Sequence, residues 1–141
     1  MGFSFRERMH GKYHRLSEPL VDHDIALELE AHVRDVRGLV ATVTGRIRAE
    51  GLAHDEVVQG TLALNALHEQ RIPYDLRFGD HLRLVGEKDL SWLAPLTTFS
   101  TLPFSIIKGP TTWTELARGT LVFDVRGDWR ALVRSLRVSP F

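Results

Sequence analysis

Hydrophobic and polar residues alternate along most of this chain, and the alternation predicts β-strands rather than helices. From Phe3 to Tyr13 the odd positions read Phe3, Phe5, Glu7, Met9, Gly11 and Tyr13, against Ser4, Arg6, Arg8, His10 and Lys12. A period of two sends alternate side chains to opposite faces of a sheet. One face of this strand is therefore apolar except at Glu7. After a turn expected at Leu16–Asp22, the segment Asp24–Val33 sets Ile25, Leu27, Leu29, Ala31 and Val33 against Glu28, Glu30 and His32. Ala41–Glu50 sets Val43, Gly45 and Ile47 against Thr42, Thr44, Arg46 and Arg48. Val57–Ala66 carries Val58, Gly60, Leu62 and Leu64 on one face, and Arg71–Phe78 carries Ile72, Tyr74, Leu76 and Phe78. Phe78-Gly-Asp-His81 predicts a tight hairpin into His81–Leu90, where Leu82, Leu84, Gly86, Lys88 and Leu90 share a face.

The segment Leu96–Ile107 is apolar on both faces and contains Pro103, which disfavours a central strand. It predicts a long bent strand or a covering flap, flanked by Trp92 and Trp113. Leu116–Val125 alternates again, with Ala117, Gly119, Leu121, Phe123 and Val125 on one face. Asp35–Val40 predicts a single helical turn or a tight connection. Asp128 is placed as an N-cap before the helical spacing of Trp129, Leu132 and Val133, and Ser135–Val138 predicts a short closing strand. No long segment of period 3.6 is present.

Glycine turns this series of strands into a barrel. Gly11, Gly45, Gly60, Gly86 and Gly119 all fall on the inferred inner face, each in a different strand. Interior glycine weakens a flat sheet but permits the coiling that closure requires. The expected fold is all-β: an antiparallel, roughly eight-stranded, calycin- or lipocalin-like β-barrel with one or two short helical turns. It forms a single domain over residues 1–141, with a β-sandwich as the alternative.

Composition narrows the function classes. The 18 basic and 18 acidic residues leave no net charge, and arginine is spread along outward faces, so no basic stripe for nucleic acid is expected. The absence of cysteine excludes disulfides, thiolate chemistry and cysteine metal sites. No apolar run reaches the roughly 20 residues of a membrane span, and no signal-peptide core opens the chain, which leads us to expect a soluble, cytoplasmic protein. The seven histidines do not suggest a metal centre. His10 and His14 share a face but stand roughly 13 Å apart along a strand, too far for one zinc ion. No nucleophile elbow or phosphate-binding glycine loop occurs, and no cofactor is expected.

The candidate chemistry lies in the two charges on inward positions, Glu7 and Lys88. Burying an uncompensated charge costs several kcal/mol, so such residues are paired, neutralised or functional. One reading is a buried ion pair that fixes strand register, with Tyr13 or Tyr74 completing the hydrogen bonds. A second is polar recognition at the base of an apolar ligand cavity. A third is catalysis, with Glu7 as general acid or base. The residues expected around a ligand are Phe5, Met9, Tyr13, Tyr74, Thr98, Ser100, Leu102, Phe104 and Phe123. The apolar flap has a homodimer contact as its alternative use.

Several of these strands also resemble a known family. Phe5-Arg-Glu7-Arg-Met9-His-Gly11 resembles an F-x-E-x-M-x-G opening. Thr44-Gly45-Arg-Ile-Arg-Ala-Glu-Gly51, Gln59-Gly60-Thr-Leu-Ala-Leu64 and Leu84-Val-Gly86-Glu-Lys88-Asp89 look like its following strands. Gly119-Thr-Leu-Val-Phe123 and Leu132-Val-Arg-Ser-Leu-Arg-Val138 look like its close. The set is similar to the small β-rich domain appended to cholesterol-oxidase-like glucose–methanol–choline oxidoreductases and found beside hydrolase domains. The chain departs from that pattern at Leu93-Ala-Pro-Leu96, where an acidic residue and a tryptophan are expected before the threonines. The flavin-binding glycine motif has no counterpart, so the resemblance implies an association with lipid or steroid chemistry and not flavin catalysis.

Three functions follow as expectations. The first is binding of a hydrophobic small molecule, such as a lipid, steroid or polyketide, inside the barrel. The second is a small-barrel cyclase or isomerase that acts by preorganising its substrate. The third is an interaction module that docks on an oxidoreductase or hydrolase.

Overall fold

The computed structural model describes residues 3–33, 40–63, 71–89 and 99–124, with side chains for 6–32, 40–63, 73–87 and 101–122. Eight strands appear in chain order: β1 (Phe3–Arg15), β2 (Glu18–Val33), β3 (Val40–Ala49), β4 (Ala53–Ala63), β5 (Arg71–Phe78), β6 (Leu82–Asp89), β7 (Phe99–Lys108) and β8 (Thr114–Asp124). Each pairs antiparallel with the next, and β8 pairs with β1, so the sheet closes as an up-and-down barrel. Closure removes free sheet edges altogether. Among the described residues there is no helix. The helical turns expected at 35–39 and 128–133, and the closing strand at 135–138, lie outside them.

The register measures how strongly the strands tilt. From Ser4 the pairing runs through His32, Thr42, Thr61, Asp75, Val85, Ser105 and Arg118, and returns to β1 at His14, ten residues further on. Ten residues at roughly 3.3 Å each, against eight strand spacings of roughly 4.8 Å, correspond to a tilt of about 40°. A barrel of this size has an interior filled by side chains or wide enough for one small ligand.

The inner-face glycines lie where a carbonyl of the neighbouring strand fills the place of a side chain. The short turns at 16–17, 50–52, 79–81 and 109–113 join β1 to β2, β3 to β4, β5 to β6 and β7 to β8. The barrel is thus four hairpins, and the five glycines lie at the four seams between them. A Cβ on Gly45 would sit 1.9 Å from the Glu28 carbonyl oxygen across the β2–β3 seam. The same clash arises for Gly60 at β4–β5, Gly86 at β6–β7, and Gly11 and Gly119 at β8–β1. In each case the carbonyl belongs to the residue preceding the glycine's register partner. At Gly119 the Phe104 ring and the Tyr13 Cβ occupy the space a side chain would take.

The alternation expected from the sequence is the observed pleat. Ile25, Leu27, Leu29, Ala31, Val43, Ile47, Val58, Leu62, Leu76, Leu84, Ala117 and Leu121 are all buried in one core. Oppositely charged residues pair across the outer faces, as in Arg8–Glu28 at 3.5 Å and Arg46–Asp55 at 3.0 Å. Such exposed pairs contribute about 0–1 kcal/mol each.

The starts of β2 and β4 differ from expectation. The turn after β1 is shorter than Leu16–Asp22, because β2 begins at Glu18. A register shift at His14/Arg15 breaks the period there, leaving Leu20 almost fully exposed. β4 begins at Ala53 rather than Val57, and a shift at Ile47/Ala49 together with the positive φ of Asp55 hides its first residues from a period-two pattern. Of the bent strand and the flap expected for 96–107, the strand is what forms: β7 is a wall strand paired to β6 and β8. Its ladder to β6 ends at Gly86↔Phe104, one residue before Pro103, so the missing N–H removes nothing on that side.

The seams lead to a direct test. Gly45→Ala forces β2 and β3 apart and should lower stability by about 1–3 kcal/mol in urea unfolding. Thr44→Ala, on the exposed face one residue away, should stay within about 0.5 kcal/mol. Equal effects at the two positions would refute the close-approach account.

Candidate functional site

Glu7 is the one charged side chain in the buried set of the described residues, at 4% exposure. The β1 pleat that buries Met9 and Tyr13 also turns Glu7 inward, beside its register partner Leu29. Tyr74 faces inward from β5, between its partners Leu62 and Gly86. In an eight-stranded barrel β1 and β5 are four strands apart in either direction, so a contact between them must cross the interior. The Tyr74 hydroxyl makes that contact, lying 2.7 Å from Glu7 Oε1 and 3.0 Å from Oε2. It donates to the carboxylate as a bridge 67 residues long in sequence.

The surroundings shift the phenol. Burial, then the charge of Glu7 and the hydrogen bond to it, hold Tyr74 well above its ordinary pKa of 10.0. The proton therefore stays on the phenol, which acts as a donor to the carboxylate. A hydrogen bond to a charged group contributes about 1.5–3 kcal/mol net. The pair can fix a polar ligand group, or the phenol can hold the carboxylate in place to take a proton from one.

The two ends of the barrel differ. Tyr13 is buried at the end closed by the short turns, where its hydroxyl donates to the Glu50 carbonyl. Its ring stacks on His23 at 5.2 Å between centroids, and His23 Nδ1 lies 3.2 Å from Glu50 Oε1. Of the two tyrosines eligible to complete the Glu7 site, the register brings Tyr74 and takes Tyr13 away. Ile25, Ile47, Phe78, Leu82 and Ile106 complete the packing at the closed end. Glu7 and Tyr74 lie toward the other end, whose connections fall outside the described residues.

The remaining candidates divide in the same way. Met9, Leu102 and Phe104 are buried in the core. Phe5, Ser100 and Phe123 hold strand positions on β1, β7 and β8, with side chains outside the described set, and Thr98 lies outside it altogether. Lys88 pairs with Ile72, two residues along from the Gly86↔Tyr74 rung, and its side chain is likewise outside the described set. Among the described residues no three metal-binding side chains cluster, and no helix is long and apolar enough to cross a membrane. Alternation did not signal the adjacency of Arg77 and Arg83 on the outer wall. Counting outward from the 79–81 turn would have revealed it.

Fold and site together define a closed, eight-stranded antiparallel β-barrel with a carboxylate–phenol pair across its interior. No family model matches the chain, and no curated protein matches it. The chain is similar to the solved crystal structure of Rv2717c from M. tuberculosis, at 15% identity over 87% of this chain and 91% of that one, with a TM-score of 0.38.

The bridge predicts an alkaline signature. Because the Tyr74 pKa is raised in the folded state, its contribution to stability is complete below pH 10 and is lost as pH rises beyond that value. Absorbance titration should show one of the two tyrosines ionising only as the protein unfolds. Tyr74→Phe should abolish that late step and lower stability at neutral pH by about 1.5–3 kcal/mol. A Tyr74 that titrates near pH 10 in the folded protein would contradict the bridge.

Proposed function

We propose that the barrel binds a hydrophobic small molecule, a lipid, steroid or polyketide, between the Glu7–Tyr74 bridge and the barrel end farther from the short turns. The observation that carries this reading is the bridge: a buried carboxylate bonded to a buried phenol, where the other buried side chains among the described residues are apolar. Small-molecule sites combine an apolar wall with a few convergent polar groups, and the bridge supplies those groups. The packed closed end directs the ligand to the other end. There the apolar body meets the wall, and a hydroxyl, carbonyl or similar group meets Glu7 or Tyr74.

A second reading rests on the same pair. The Glu7 carboxylate, held by the phenol at 2.7 Å, can take one proton from a bound substrate and return it, a one-proton relay. In a barrel that folds an apolar substrate into a reactive shape, the relay suits a cyclase or isomerase.

Native mass spectrometry of protein purified without detergent should reveal a bound apolar molecule that denaturation releases. Cis-parinaric acid and dehydroergosterol, as fluorescent fatty-acid and sterol probes, should show one-to-one binding by at least one of them. Glu7→Gln keeps the shape and should weaken that binding roughly tenfold, equal to about 1.4 kcal/mol. No co-purified mass and no probe binding would reject the binding reading. Proton-relay chemistry is rejected if a substrate that turns over does so at the same rate in Glu7→Gln.

A further inference from the structure

On the outer wall, β4, β5, β6 and the β7–β8 connection enclose a groove of about 570 Å³. The core residues Phe78 and Leu82 reach it, and one row of direct register partners crosses it: Gln59 on β4, Arg77 on β5 and Arg83 on β6. Two like charges directly opposite on neighbouring strands repel each other. Arg83 is compensated, because Asp75 accepts its Nε at 3.0 Å and its Nη2 at 2.5 Å. Arg77 is exposed and has no ion-pair or hydrogen-bond partner among the described residues. No carboxylate lines the groove; Asp80 beside it lies 3.4 Å from His81, and Glu56 Oε2 is buried behind Gly79.

The walls of the groove are apolar. Val57 is 56% exposed on one side and Trp113 is 42% exposed on the other. The Arg83 guanidinium lies over one face of the Trp113 ring, 4.9 Å from its centroid, and the indole stays partly exposed. A closed barrel offers no strand edge here, so an occupant is recognised by side chains and not by added sheet pairing.

The geometry points to a second ligand site in this groove, one that takes a small aryl carboxylate. The carboxylate takes the paired N–H groups of Arg77. The flat apolar body lies between Val57 and Trp113. An anion at this position also neutralises Arg77, an advantage that a neutral molecule of the same shape lacks.

The test is an NMR titration of the 15N-labelled protein with 1-naphthoate and with the neutral 1-naphthalenemethanol. Naphthoate should shift the Val57, Arg77 and Arg83 amides and the Trp113 indole N–H saturably. The alcohol should bind roughly tenfold more weakly. Arg77→Gln should weaken naphthoate by a similar factor and leave the remaining spectrum unchanged, because the side chain is exposed. Trp113→Ala should weaken both ligands. Equal affinity for acid and alcohol, an unchanged affinity in Arg77→Gln, or shifts centred on Leu29 and Leu62 inside the barrel would each overturn the assignment.

Discussion

The barrel depends on the contact between the backbone of one hairpin and the glycine of the next. At every seam a carbonyl oxygen occupies the place where a side chain would begin, so only glycine lets the neighbouring backbone approach there. That proximity permits the coiling needed for closure with a ten-residue stagger. Closure in turn sets β1 opposite β5. The meeting of Glu7 with Tyr74 is a consequence of how the seams join, and neither residue's local sequence contains it.

The interior is unequal along its length as a result. Toward the short turns, Tyr13 ends on a backbone carbonyl and the space is filled by Ile25, Ile47, Phe78 and Ile106. Toward the other end, the buried polar chemistry of the described residues is concentrated in one carboxylate and one phenol. A buried carboxylate with a neutral donor is costly to leave unpaired, which favours a single conformation of both side chains. That fixed orientation is what a polar group of an apolar ligand, or a reacting atom, would meet.

The outer wall follows a different rule. Most of its charges alternate in sign across strands, as in Arg8–Glu28 and Arg46–Asp55, and cancel locally. The Arg77–Arg83 rung breaks the rule, with Asp75 balancing one arginine and leaving the other uncompensated. Exposed Val57 and Trp113 flank the same rung. A local charge imbalance between apolar walls sets this groove apart from the rest of the described surface.

Pleat is a local property, and the sequence determined it. Whichever strands pair, Glu7, Met9, Leu29, Leu62, Tyr74, Leu84 and Leu121 share the inner parity, and the hairpin at residues 79–81 follows from its own turn chemistry. The glycine positions on that parity pointed to closure for the same reason. Period-two reading failed where bulges shift the phase, at the starts of β2 and β4, and at Pro103, whose cost depends on where a neighbouring ladder stops. Only the tertiary structure decided which inward residues face one another across the barrel. That choice depends on the summed register of all eight strand pairs, so it selected Tyr74 over Tyr13 as the partner of Glu7. No single segment of the chain carries that sum.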